Sequence, residues 1–332
     1  WHQEIEDIIV LKNNKGTEDN RVRKLDYSIQ LSKLFYERFI NEEEITLFSP
    51  HEVPELYEAW GTPEFDELYE KTERKTSVKK KKIDAQTLFF DLLKERAETG
   101  RIYIMNIDHC NTHSSFKDRV TMSNLCQEIT LPTDPIQHID GAGEIALCIL
   151  SAINVGTLKE VDELEVLCDL AVRALDEVID HQKYPVKAAE VSTKARRSLG
   201  VGYIGLAHYL AKNKVQYSDK KAWKLVDELT EAFQFYLLKA SNILAEEKGK
   251  CEYFDRTKYS DGILPIDTYK KEVDELVKPK LNYDWEWIRK QIKKHGLRHS
   301  TLSAQMPSES SSVVSNATNG IEPPRDYLSI KK

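Results

Sequence analysis

The stretch Ser123-Asn124-Leu125-Cys126-Gln127-Glu128-Ile129 decides how this chain is read. Taken as a short strand, it alternates its side chains between two faces. Asn124, Cys126 and Glu128 then point one way, and Leu125, Gln127 and Ile129 the other. One face carries an amide, a thiol and a carboxylate in a row. A nucleophilic cysteine wants a base close by, usually histidine, and none lies near in sequence. A carboxylate two residues away disfavours a thiolate. Thiolate attack is therefore a poor fit. A neutral thiol that gives and takes a hydrogen atom fits better, because it needs no charge. Glu128 is then left to act as a general base, and Asn124 to hold a hydroxyl. The bland alternative is a satisfied polar strand edge.

The 332 residues suffice for one large domain or two ordinary ones. An apolar fraction of 40% and a charged fraction of 31% fit a globular chain rather than a disordered one. The net charge of -7 argues against nucleic acid as a partner. No apolar run reaches the roughly 18 residues of a membrane span, and no signal peptide is expected. The five cysteines, Cys110, Cys126, Cys148, Cys168 and Cys251, are not spaced as a small disulfide scaffold. A reducing, cytoplasmic setting is expected. The chain opens on Trp1 and stops at Lys332 without a terminal helix or tail, so both ends are expected to be cuts inside a longer polypeptide.

Along the chain, Ile5 to Leu11 is apolar and β-branched and reads as a strand. Arg23 to Ile40 carries Tyr27, Leu31, Leu34, Phe35 and Phe39 at helical spacing. Residues 54–75 read as short charged helices. Lys79 to Lys82 reads as a solvated loop or helix start, with a phosphate-binding patch as the sharper alternative. Asp84 to Glu98 is an amphipathic helix ended by Gly100, and Arg101 to Asn106 a strand. Ala146 to Ile153 leans to strand. Leu164 to Ile179 and Leu225 to Ile243 form two long helical stripes, the second ended by Gly249. Thr268 to Leu276 and Trp285 to Lys294 are shorter helices. Strands separated by helices give an α/β body in which helix dominates.

Cys168 lies in a helical stripe and is expected in the core. Cys251 reads as a bystander. His109, Cys110 and His113 could ligate a metal, but no second ligand cluster completes a structural site, so no metal is expected. Gly143 to Cys148, G-E-I-A-L-C, would place Cys148 on a face with Glu144 and Ala146 if it is a strand. It could then meet another thiol, or simply be a small buried hydrophobe. Pro307, Ser308, Glu309, Ser310 and Ser311 look like a helix beginning, whose backbone N–H groups and hydroxyls suit a phosphate.

At this point a resemblance enters. S-N-L-C-Q-E-I resembles the active-site finger loop of the class I ribonucleotide reductase large subunit. The likeness extends to G-R-I-Y-I-M-N-I-D-H-C-N-T-H-S, G-I-L-P-I-D-T-Y-K-K, H-G-L-R-H-S-T-L-S-A-Q-M-P-S-E and N-G-I-E-P-P-R, from one end of the chain to the other. It looks nearest to the diphosphate-reducing class Ia enzymes of bacteria and their phages. The resemblance implies part of a ten-stranded α/β barrel, helix-rich, as one incomplete catalytic domain over residues 1–332. It implies Cys126 as the thiyl radical that takes the 3′-hydrogen of a ribose and Glu128 as the base on the 3′-hydroxyl. Asn124 becomes the amide that binds substrate hydroxyls, and Cys148 one of two reducing thiols. Pro307 to Ser311 become the diphosphate loop. Implied partners are ribonucleoside diphosphates, complementary α segments, a metal-containing radical-generating β subunit, and thioredoxin or glutaredoxin. No cofactor bound to this segment is implied, and neither membrane nor nucleic acid.

The family's second reducing thiol and its allosteric region lie upstream of the matching residues, and its relay tyrosines and cysteine-bearing tail downstream. Val201 to Tyr203 fall in a region expected to be helical. The alternative to an enzyme segment is an inactive remnant or an assembly module that binds other reductase chains. A thiol hydrolase is disfavoured by the missing local base. A barrel lacking strands would leave sheet edges and apolar faces exposed, so the isolated chain is expected to aggregate or to bind its complement tightly.

Overall fold

A computed structural model of the chain describes residues 1–100, 102–138, 143–277 and 280–326. Two compact units divide it. The first holds Trp1–Ser114 with Arg119–Gln127, the second Ser115–Asp118 with Glu128–Lys332. Among the described residues there are six named strands and many helices, and no helix is long and apolar enough to cross a membrane.

In the first unit, β1 (Tyr27–Leu31) pairs in parallel with β4 (Ile102–Asn106), and β2 (Glu44–Phe48) pairs antiparallel with β3 (Lys80–Asp84). Ile9, Ile29, Leu31, Phe35, Leu47, Leu88, Leu92 and Ile102 share one apolar core. The helix Ala85–Thr99 has both of its read ends. The Asp84 carboxylate accepts from the Thr87 backbone N–H at 2.6 Å, and Gly100 closes the helix at φ 63°.

Three readings in this unit are corrected. Ile5–Ile9 is a helix, not a strand: Ile5, Ile8 and Ile9 fall on one face and pack against the core, with Glu6 and Asp7 in the first turn. The expected helix from Arg23 is split. β1 comes first, then Ser32 caps a helix Lys33–Ile40, its hydroxyl accepting from Phe35 N–H at 3.2 Å. The four-lysine run is mostly strand β3, and its side chains are engaged. Lys82 pairs with Glu44 at 2.8 Å, Lys81 pairs with Glu6, and Lys80 donates to the Lys75 carbonyl at 2.9 Å. Glutamates thus engage Lys81 and Lys82, and backbone carbonyls engage Lys80.

In the second unit, β5 (Ile149–Asn154) pairs in parallel with β6 (Leu199–Ile204), and all six residues of β6 are buried. Residues 301–304 run parallel along the other edge of β6. Leu199 N–H donates to Thr301 O at 3.1 Å and Val201 N–H to Leu302 O at 2.8 Å, while Ala304 N–H donates to Val201 O at 3.1 Å. Glycine permits this approach: a Cβ on Gly202 would stand 2.4 Å from the Ala304 carbonyl oxygen. Tyr203 is therefore in a strand, which corrects the helical expectation for Val201 to Tyr203.

The helices Leu164–His181, Lys220–Lys248 and Trp285–His295 contribute Leu164, Val172, Ile179, Leu229, Phe233, Leu237, Ile288 and Ile292 to one large core with β6. Val178 and Ile243, read as members of the two stripes, lie at their exposed margins, 43% and 37% exposed. The segment read as one helix from Thr268 to Leu276 is broken into short helical pieces, Pro265–Thr268, the 3-10 turn Lys271–Val273 and Asp274–Val277.

Candidate active site

Ser123 to Ile129 is not a strand. Gln127 N–H donates to the Asn124 carbonyl at 3.2 Å and closes a turn, and Gln127 takes φ 61° in the left-handed region. Side chains on such a turn do not alternate between two faces, so the single-face argument for Asn124, Cys126 and Glu128 is corrected. The turn presents its tip outward instead: Leu125 is 63% exposed, and Cys126 is exposed. The division into two units falls inside this motif, with Asn124 and Cys126 in the first and Glu128 in the second. Glu128 is half-buried, and its Oε2 is buried with no hydrogen-bond partner among the described residues. Such an orphan acceptor is costly unless something donates to it.

Cys148 is half-buried and lies just before β5 rather than within a strand. The read strand therefore starts later, and Glu144 forms a separate antiparallel bridge with Asp134. Pro307 follows the 301–304 segment, and the helix Glu309–Val314 begins as expected. Pro307, Glu309, Ser310 and Ser311 are exposed, while Ser308 is buried and donates to Asn319 Oδ1 at 3.2 Å. Because the strands are parallel, Cys148 sits at the entry end of this sheet and Pro307 beyond its exit end. The structure does not bring them to the same edge.

The remaining thiols are separated from these by environment. Burial pushes the Cys168 and Cys251 thiols up to about 12, so both are inert packing groups. His109 and His113 meet edge to face at 5.4 Å. Among the described residues no group of three or more His, Cys, Asp or Glu side chains could hold a metal.

Sequence reasoning missed several polar groups in the second unit. Ser312 Oγ, one residue past the expected loop, is buried without a hydrogen-bond partner among the described residues. A chain of Ser241, His299 and Asp176 has the geometry of nucleophile, base and orienting acid, at 2.9 and 3.1 Å. All three side chains are buried, so no substrate reaches them, and the chain is structural. Burial opposes ionisation of Asp176, but hydrogen bonds from His299 and Arg197 outweigh it and hold the carboxyl far below its usual range. Burial also lowers His299, from its usual 6.5 to about 4, against the pull of Asp176. His299 is thus neutral at neutral pH. Its Nε2–H donates to Asp176, and its Nδ1 accepts from Ser241.

A pH dependence follows. The unfolded state protonates His299 first as pH falls, so stability is fully present above 6.5 and is lost down to about 4. The interval corresponds to about 3 kcal/mol from this one group. Urea unfolding across that range should show this acid slope, and His299→Gln should flatten it. An unchanged slope in the variant would contradict the assignment.

The family model for the ribonucleotide reductase barrel domain matches residues 1–332.

The chain belongs to this family.

It is 59% identical to the ribonucleoside-diphosphate reductase subunit alpha of Haemophilus influenzae, over all of this chain and 45% of that protein. Identity is 55% to subunit alpha of the Escherichia coli ribonucleoside-diphosphate reductase 1 and 47% to the subunit alpha of phage T4, each over all of this chain and 44% of the relative. The chain thus spans under half the length of these relatives. Its α/β, helix-rich architecture is that of a reductase barrel domain.

Proposed function

We propose that this chain is the catalytic barrel segment of a ribonucleoside-diphosphate reductase α subunit. It acts with the rest of the α polypeptide, a β subunit and a dithiol protein to convert ribonucleoside diphosphates to 2′-deoxy forms. The observation that carries this reading is the end-to-end family match, and the motif resemblance supplies the roles of Asn124, Cys126, Glu128 and Cys148. The metal-containing β subunit supplies the one-electron oxidation that starts the cycle. In that oxidation Cys126 gives up an electron and its thiol proton, and the sulfur radical left takes the hydrogen atom from C3′ of the ribose; its place on an exposed turn suits a thiol that must meet a substrate. Glu128 takes the 3′-hydroxyl proton. Asn124 hydrogen-bonds the ribose hydroxyls.

The 2′-hydroxyl leaves as water. Cys148 and a second thiol together give two electrons and two protons and end as a disulfide. Cys126 returns its hydrogen to C3′, and Glu128 returns its proton to the 3′ oxygen. Thioredoxin or glutaredoxin then reduces the disulfide by thiol exchange. Ser308, Glu309, Ser310 and Ser311 hold the diphosphate through backbone N–H groups and the serine hydroxyls, and Pro307 shapes the entry to that loop.

Glu128→Gln tests the base. It keeps the side chain's shape and hydrogen bonding but cannot accept the proton. Reduction by the assembled enzyme should fall by about 10²–10⁴-fold. A variant within tenfold of the parent would remove Glu128 from the step.

A further inference from the structure

Four residues before Cys148, Glu144 lies 5% exposed in the apolar run Gly143 to Cys148. Its carboxylate takes two arms of the Arg196 guanidinium, Nε to Oε2 at 2.6 Å and Nη2 to Oε1 at 2.9 Å. The third nitrogen of Arg196, Nη1, is 2.9 Å from Asp118 Oδ2. Arg256 reaches the same two acids, Nη1 at 3.3 Å from Glu144 Oε1 and Nε at 2.8 Å from Asp118 Oδ2. Two guanidiniums and two carboxylates thus close a ring of ion pairs, with a third carboxyl, Asp134, set against Glu144. Both guanidiniums also lie over the Tyr253 ring, at 5.1 and 4.3 Å from its centroid.

The parts of the ring are fixed from outside it. Arg196 ends the helix Lys187–Arg196, three residues before β6. Asp118 and Arg256 sit on segments that pair with each other, Lys117 N–H to Arg256 O at 3.0 Å and Lys258 N–H to Ser115 O at 2.7 Å. The Glu144 backbone pairs with Asp134 in both directions, at 3.1 and 3.3 Å, and Ile145 N–H donates to Ala188 O at 3.3 Å. On the far side of Cys148, Ile149 N–H donates to Ser198 O at 3.3 Å, where β5 begins. Residues 146–148 therefore run between two anchors. A buried ion pair is a poor way to gain stability, because apolar groups of the same volume serve as well, but it fixes geometry.

We infer that this ring is a positioning device for Cys148, with Glu144 and Arg196 as positioning residues that set where its Sγ stands. The inference rests on the reading of Cys148 as a reducing thiol, but its test needs no turnover. In the full 332-residue chain, iodoacetamide alkylation is followed at Cys148 and Cys126 by peptide mass spectrometry, with circular dichroism as the check on folding. Glu144→Gln and Arg196→Lys should each change the Cys148 rate by about fivefold or more, with Cys126 unchanged within about twofold. Lysine keeps the charge but not the fork, so it does not rescue. Arg256→Gln, at the half-exposed rim, should change Cys148 by about threefold or more, outside the Cys126 tolerance. Parent-like Cys148 rates in folded variants would overturn the inference. So would equal rises at Cys148 and Cys126, which report general loosening. If Glu144→Gln and Arg196→Lys do not fold, Arg256→Gln decides. A selective change at Cys148 supports the inference, and none overturns it.

Discussion

Cys126→Ala is expected to bring ribonucleoside diphosphate reduction down to background, a loss of about 10³-fold or more. Alanine has no S–H bond to break and remake, so the hydrogen atom at C3′ has no acceptor. Cys126→Ser should fail as completely, because it keeps the shape but replaces a weak S–H bond by a strong O–H bond. Folding should not change. Cys126 is exposed on a turn, so its removal leaves no cavity, and the unfolding free energy should stay within about 0.5 kcal/mol. The measurement is deoxy product formed by the assembled enzyme, beside urea unfolding of the same variant. An alanine variant that keeps a tenth of the parent rate would sink the radical assignment. A variant that unfolds would instead show that Cys126 has a structural role the turn does not reveal.

The second large effect concerns stability. Asp176 is fully buried, and Arg197 Nε reaches its Oδ1 at 2.6 Å, Arg298 Nε at 3.2 Å and His299 Nε2 at 3.1 Å. Asp176→Ala would leave Arg197 and Arg298 with only the half-exposed Asp180, at 2.8 and 4.0 Å, as counter-charge. Breaking a buried pair from one side costs about 3–5 kcal/mol. That is a large share of the roughly 5–15 kcal/mol that holds a folded domain together. The control is Lys224→Ala, which removes an exposed pair with Glu228 and should cost about 0–1 kcal/mol. Urea midpoints of the two variants settle the comparison. An Asp176 variant within 1 kcal/mol of the control would mean that water or neighbouring acids already screen the arginines.

Helices were the legible part of this fold. Asp84 to Gly100, Leu164 to Ile179 and Leu225 to Gly249 announced themselves through apolar spacing and end residues, because a helix is stabilised by neighbours three and four positions away. Short strands were less legible. Ser32 could have divided the run from Arg23, since a serine before a new apolar period is a capping signal. The isoleucines of Ile5–Ile9 look like strand residues by type, but their spacing is helical. The central motif failed for a subtler reason. Gln127 takes a positive φ that its side chain does not advertise, and the turn overrides the alternation read from Ser123 to Ile129.

For the candidate site, the residue types could be nominated from chemistry and resemblance alone. Their support could not. Glu144 meets Arg196 across 52 positions, and Asp176 meets His299 across 123. A glutamate inside the apolar G-E-I-A-L-C and a doubled arginine before the glycine-rich β6 were visible signals of buried charge. Nothing local paired them.

The measurement that tests the central claim most directly is conversion of a ribonucleoside diphosphate to its deoxy form. The chain would be assembled with complementary α polypeptide, β subunit and a dithiol protein, and each part omitted in turn. The account predicts deoxyribonucleoside diphosphate that appears only in the complete mixture and vanishes when this chain carries Cys126→Ala. A stable complex of all the parts that forms no product would contradict it, and would make the chain an assembly module in a reductase fold.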